Sequence, residues 1–318
     1  MSNKQTKLLF EGWRRFLNED ADPTKIPDEK FPIALSAVDK EKAKEIATSG
    51  LKDGGEQKDD VVKVEKGKPF ACSDLSPSQT TMDINKAWQF ALSMMNGTMP
   101  GSKGPGGNLN AFISSDKYIM DGHHRWIATA MVDPSAELQG NLVNLPGAKL
   151  VAVLNTITKG ILNVDQGKPG TGGFEQFKDK NALKAALEKQ ISGQMGKLQG
   201  PIGGDPKQIK NILSKWCGES DPNKVVDVAV EKVFANVGPI ASRPVMPSAP
   251  DRKDMPVVDD DLTPEATKKT IDALTQGMVD MNPPFAKDTQ PAQQQAMKEA
   301  LLNKKIRKIV LEEIRKLK

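Results

Sequence analysis

The chain has 318 residues, of which 37% are hydrophobic and only 5% aromatic, a composition that supports modest cores joined by linkers. Its net charge of +4 is concentrated at one end. Residues 298–318 carry eight Lys/Arg against three Glu, so the rest is close to neutral and is not the broad basic surface that binds nucleic acid through phosphates. Two cysteines exclude a disulfide framework, no Cys/His spacing suits zinc, and no apolar run approaches the ~20 residues of a membrane span.

These features predict a soluble protein of a reducing compartment such as the cytoplasm, without a secretory leader, because Leu8-Leu9-Phe10 is broken at once by Glu11, Arg14 and Arg15. Five segments are expected in chain order. Residues 1–58 form an extension with an amphipathic helix over 6–18, a charged linker, and a second helix over 38–49. Residues 59–160 form an α+β domain. It opens with a strand at Val61–Val64, followed by a helix from Asp83, the N-cap, to Gly97. The glycine-rich stretch GTMPGSKGPGG lacks the pattern of a P-loop and reads as a flexible crossover, the alternative being a loop in which Lys103 closes over phosphates when ligand binds.

A hairpin follows, Leu109–Ile113 and Lys117–Met120 around Ser114-Ser115-Asp116. Gly122 opens a helix that Pro134 closes, and Lys149–Leu154 (KLVAVL) reads as a final strand. Residues 161–237 are helical, with stretches at 174–195, 206–217 and 222–236. Residues 238–262 hold five prolines and no periodicity, and read as an extended connector ending in Asp259-Asp260-Asp261, a solvated run. Residues 263–318 comprise a helix over 263–280 and a basic amphipathic tail. Its stripe of Leu302, Ile306, Val310, Ile314 and Leu317 calls for a partner or for self-association.

One cluster carries chemistry. Both histidines of the chain stand side by side in Asp121-Gly122-His123-His124-Arg125-Trp126, between a strand and a helix. Glycine lets backbone approach a ligand, and the first-turn N–H groups of a helix bind anions. Arg125 suits bidentate contact with a phosphate, the imidazoles suit hydrogen-bond donation or proton transfer, and Asp121 suits a metal ion or the orientation of a histidine. The plain alternative is a polar helix cap with solvated histidines. Trp88 and Trp126 fall on the packing faces of their helices and are read as core.

Over about residues 61–160 the order of elements resembles the ParB/sulfiredoxin superfamily. The matching parts are VVKV, the Leu-x-Pro box Leu75-Ser76-Pro77-Ser78-Gln79, the Asn85–Met95 helix, NLNAFIS, KYIMDGHHRWIATA and KLVAVL. The resemblance implies a small mixed sheet that binds a nucleotide (ATP, ADP or CTP) with Mg²⁺. Gly122, His123, His124, Arg125 and Gln79 would lie at the ligand, Asp121 on the metal, and Asp121, His123 or His124 in catalysis. Sulfiredoxins place their reactive cysteine where this chain has His123. Partition ParB proteins have Gly-Glu-Arg-Arg and a helix-turn-helix that is not evident here. Free-serine kinases share DGHHR but carry a catalytic glutamate where this chain has Gln79, so that chemistry would need Asp74 or Asp83 instead. The reading is therefore a phosphotransferase or phosphohydrolase, a ParB-like nuclease included. The alternatives are a non-catalytic interaction or virion protein and a DNA-binding clamp. The terminal segments KLLFEGWRRFL and KIRKIVLEEIRKLK resemble those of tailed-phage proteins, which implies host cytoplasm or virion.

Overall fold

A computed structural model describes residues 40–51, 60–99, 104–165, 172–193, 205–247, 249–250, 252–258 and 264–281. The helices expected at 6–18 and in the tail, Lys103, and Asp259–Asp261 lie outside these residues.

The order of elements is α1 (Lys40–Ser49), β1 (Val64–Ala71), a 3₁₀ turn (Cys72–Asp74), β2 (Ser76–Pro77), α2 (Ile84–Met95), β3 (Gly107–Ser114), β4 (Tyr118–Asp121), α3 (His123–Val132), β5 (Glu137–Val143) and α4 (Gly147–Thr156). A π-helical turn (Ile157–Ile161) continues α4. It is followed by a 3₁₀ turn (Phe174–Lys178), α5 (Lys180–Ile191), α6 (Pro206–Cys217), α7 (Val225–Ala241), a short 3₁₀ turn (Arg252–Asp254) and α8 (Pro264–Thr275).

The strands form one mixed sheet in the order β1-β5-β3-β4-β2. The hairpin β3–β4 is antiparallel, β5 runs parallel to β3 and antiparallel to β1, and the short β2 lies parallel to β4 at an edge. Alternation along each strand divides two cores. Leu109, Ala111, Ile113 and Ile119 face one side, with Trp88 and Trp126; Phe112 and Met120 face the other, with Leu150, Val151 and Leu154. Both indoles are fully buried with their N–H satisfied, Trp88 donating to Leu183 O (3.1 Å) and Trp126 to Cys72 O (3.0 Å). The first core also takes in Leu187, Leu213, Val233 and Val237 of α5–α7, so it spans both sides of residue 160.

Several expectations need correction. KLVAVL is helix α4, and the last strand of the sheet is Glu137–Val143 instead. Leu150–Leu154 are all buried because α4 is covered on several sides, and a helix apolar all round cannot be told from a buried strand by periodicity. ELQGNLV hides its strand character behind Glu137, Gln139 and Gly140; a Cβ at Gly140 would stand 2.6 Å from Ile113 Cδ1. The first strand starts at Val64 rather than Val61 and tolerates VEKGKP because β1 is an edge strand. The connector expected from 238 is structured in part. Helix α7 runs through Pro239 to Ala241, and Met246, Met255 and Val258 are buried in the second core. The helix at 206–217 stands as expected, with Asp205 accepting from Lys207 N (3.0 Å) and Gly218 left-handed at its end. The 174–195 stretch divides into the 3₁₀ turn and α5, which Asp179 caps.

Candidate phosphate site at the start of helix α3

Strand β4 delivers Asp121 to the sheet end, and Gly122 turns the chain into α3 with φ 94°. That left-handed conformation strains other residues, and the space is also closed: a Cβ here would lie 3.2 Å from Ala111 Cβ and 3.3 Å from Arg125 Nη2. Asp121 Oδ1 accepts from Gly122 N (2.8 Å), and Gly122 O accepts from Trp126 N (2.9 Å), which starts the helix. The N–H groups of residues 123–125 occupy the first turn, where no intrahelical acceptor exists.

Arg125 folds back over Gly122. It is 3% exposed, and its Nη2 lies 3.8 Å from Asp121 Oδ2. Its Nη1 is buried with no hydrogen-bond partner. Leaving such a donor unmatched costs about 1–3 kcal/mol, and more for a charged group. A second unmatched donor, Nε2 of the 4% exposed Gln79, belongs to the Leu-x-Pro box.

The two histidines hold that box against α3. Ser78 N donates to His123 Nε2 (3.2 Å), and Asp83 N donates to His124 Nε2 (3.2 Å). The Ser78 hydroxyl donates to Ile119 O (2.6 Å) and lies 3.3 Å from the same His123 nitrogen. Adjacent helix positions point ~100° apart, so the pair grips two sites five residues apart on one loop. At Nε2 both imidazoles accept, where the sequence suggested donation. Burial, and then the charge of Arg252, pushes the His123 pKa down to about 3. Burial first, and then Lys86, Arg252, His123 and Arg125, hold His124 well below its ordinary value. Both are therefore neutral at pH 7.

Neither candidate substitute for the missing glutamate is placed as a free base. Asp83 Oδ1 caps α2, accepting from Asn85 N (2.9 Å) and Lys86 N (3.4 Å). Asp74 pairs at the surface with Lys117 (3.6 Å). Cys72 is fully buried, and burial raises its thiol pKa to about 12, so it is not a reactive sulfur. Among the described residues no group of three or more His, Cys, Asp or Glu is arranged to hold a metal ion.

Asp121 to Arg125 thus stand together where β4 runs into α3, and the box meets them through Ser78, the neighbour of Gln79. Sequence reasoning missed Ser78, which lies inside the quoted box and whose N–H and hydroxyl meet His123.

Comparison of the chain with protein-family models, curated proteins and solved structures returned no match. Among the described residues no helix is long and apolar enough to cross a membrane.

Proposed function

We propose that this chain is a phosphate- or nucleotide-binding enzyme built on a ParB/sulfiredoxin-like sheet, a phosphotransferase or phosphohydrolase in which a nuclease is included. The order β1, box, α2, hairpin, motif helix, β5 supports the resemblance. The observation that carries the functional reading is the buried Arg125 Nη1 donor without a partner, folded over a left-handed glycine at a helix start. Unmatched donors call for an acceptor oxygen, and phosphate supplies several.

Arg125, Gln79 and the first-turn N–H groups of α3 would hold phosphate oxygens of ATP, ADP or CTP. Mg²⁺ would fit through the phosphates with Asp121 as its protein carboxylate, since this ion is commonly held by one or two carboxylates plus phosphates and waters. When bound, it would neutralise phosphate charge. His123 and His124 keep the box in register, and any part they take in proton transfer would be as neutral imidazoles. A second reading is a non-catalytic interaction or virion-associated protein that retains the fold. It is favoured by Gln79 in place of a carboxylate and by histidine Nε2 atoms engaged with backbone.

Thermal-shift titration with ATP, ADP, CTP and GTP, with and without Mg²⁺, tests the choice. Ligand at 100 times its dissociation constant stabilises by about 2.7 kcal/mol. Wild type is expected to shift and Arg125→Ala is not. No shift of wild type with any nucleotide would support the scaffold reading.

A further inference from the structure

We infer that Arg243, just past the end of α7, is a positioning residue of the Arg125 site: it sets where the Leu-x-Pro box stands relative to the start of α3. The consequence for ligand binding rests on the phosphate-binding reading above; the placement of the box does not.

The box has little of its own to hold it. Strand β2 is two residues long, lies at the edge of the sheet, and includes Pro77, which has no N–H to give to a neighbour. On its inner side Ser76 N donates to Lys117 O (3.1 Å), and the Ser78 hydroxyl donates to Ile119 O (2.6 Å). The outer side is taken by the segment that follows α7. Arg243 Nε donates to Ser76 Oγ (3.2 Å), Arg243 Nη2 to Asp74 O (3.5 Å), and Met246 N to Pro77 O (2.9 Å). Nε and Nη2 share one edge of the planar guanidinium, so the fork spans two acceptors of the box, a geometry that a lysine ammonium does not reproduce. The segment is itself fixed: Met246 packs so tightly on Gly147, at the start of α4, that a Cβ there would stand 2.7 Å from its Sδ.

The same stretch of chain also holds the far end of α3. Asn236, within α7, donates through Nδ2 to Met131 O (3.1 Å) and Val132 O (3.3 Å), carbonyls of the last turn of α3 that lack acceptance within the helix. Helix α3 thus meets the box at its first turn, where Ser78 N donates to His123 Nε2 (3.2 Å), and meets α7 at its last. Helix α7 then runs directly into the residues that hold the box from outside. The box, α3 and α7 close a triangle of hydrogen bonds. The Ser78–His123 contact is its corner at the candidate site, one residue from Gln79 and two from Arg125. Arg243 holds another corner. It is half-buried and both its acceptors are neutral, so its removal opens the triangle without stranding a buried charge.

Long-range proton–nitrogen correlation spectra of the full chain at pH 7.5 read this geometry without any ligand, because the chain has only two histidines and each imidazole nitrogen reports its hydrogen bond. In Arg243→Ala the Nε2 signal of His123 is expected to move toward that of an imidazole without a donor, while that of His124, held by Asp83 N, keeps its place. Calorimetric titration should show ADP bound about ten- to a hundredfold more weakly, the range for lost hydrogen bonds to a charged group, and Arg243→Lys should recover at most part of it. Val237→Ala, a truncation of a buried residue of α7 that makes none of these bonds, controls for stability: it should lower the melting temperature, leave the His123 signal in place and keep ADP affinity within about twofold. Ser76→Ala removes one acceptor of Arg243 and should move the His123 signal in the same direction, with little further change in the double variant, so it decides the matter should Arg243→Ala fail to fold. An unmoved His123 signal, or the same losses in Val237→Ala, would overturn the positioning role. If the signal moves as expected but the wild type does not bind ADP, the placement of the box by Arg243 stands and the phosphate reading falls.

Discussion

Acidification should weaken this fold well above the pH at which carboxylates titrate. His123 and His124 are buried as neutral acceptors, and their pKa values lie below the usual 6.5. Unfolding restores ordinary values, so below pH 6.5 the unfolded chain takes up protons that the folded chain refuses. Stability is therefore full above pH 6.5 and falls as pH drops; for His123 the loss continues to about pH 3. Each histidine removes about 1.4 kcal/mol per pH unit once well below 6.5. Between pH 7.5 and 5.0 the loss through His123 is about 2 kcal/mol, and His124 adds to it in the same direction, a large part of the 5–15 kcal/mol typical of a domain. Glu65, Glu265 and Asp165 have lowered pKa values from their lysine partners, so they withdraw stability only below their ordinary values of 4.5, 4.5 and 3.8, outside this window. Urea denaturation followed by tryptophan fluorescence, to which the buried Trp88 and Trp126 contribute, at pH 7.5, 6.5, 5.75 and 5.0 measures the slope. His123→Gln/His124→Gln should be less stable at pH 7.5 and nearly flat below it. A wild-type stability unchanged from pH 7.5 to 5.0 would refute the assignment of buried neutral imidazoles.

Gly122→Ala combines a left-handed φ with a Cβ 3.2 Å from Ala111 Cβ; it should cost about 1–3 kcal/mol in urea denaturation and abolish nucleotide-induced stabilisation. Iodoacetamide under native conditions should label the part-exposed Cys217 and spare Cys72, with Cys72 modified only after unfolding; mass spectrometry of peptides reads this directly, and rapid native labelling of Cys72 would contradict its burial. Deleting residues 298–318 should alter oligomeric state, stability or partner binding without removing nucleotide binding. Each aliphatic side chain of the stripe is worth roughly 1.5–3 kcal/mol when buried. Light scattering and melting of both forms check this, and no change in mass, melting or partner binding would mean a solvated tail.

The site was legible where its chemistry is contiguous. DGHHR announces a strand end and a helix start in five adjacent residues, and both are present; the left-handed φ of Gly122 between them was not read from the sequence. The histidines' role was not legible, because what they accept from, Ser78 N and Asp83 N, is backbone and leaves no mark on composition. The box and hairpin were readable from Pro77 and the β3–β4 alternation. The last strand was misplaced because burial on several sides made α4 as uniformly apolar as an inner strand, while β5 carries polar residues and Gly140 against Ile113.

The lacing of the box by Arg243 and Met246 also sets a schedule for synthesis. Ser76 and Arg243 are 167 residues apart, and β2 is the edge of its sheet. At about 5–20 residues per second, roughly 10–30 s separate translation of the edge from translation of the segment that covers it. During that interval the nascent chain presents an uncovered strand to its neighbours on the ribosome, the situation in which strands pair wrongly. Chains released before residue 246 keep that edge permanently. Prematurely terminated products of this gene should therefore partition into the insoluble fraction more than chains carried past residue 258, which fractionation of the two measures directly.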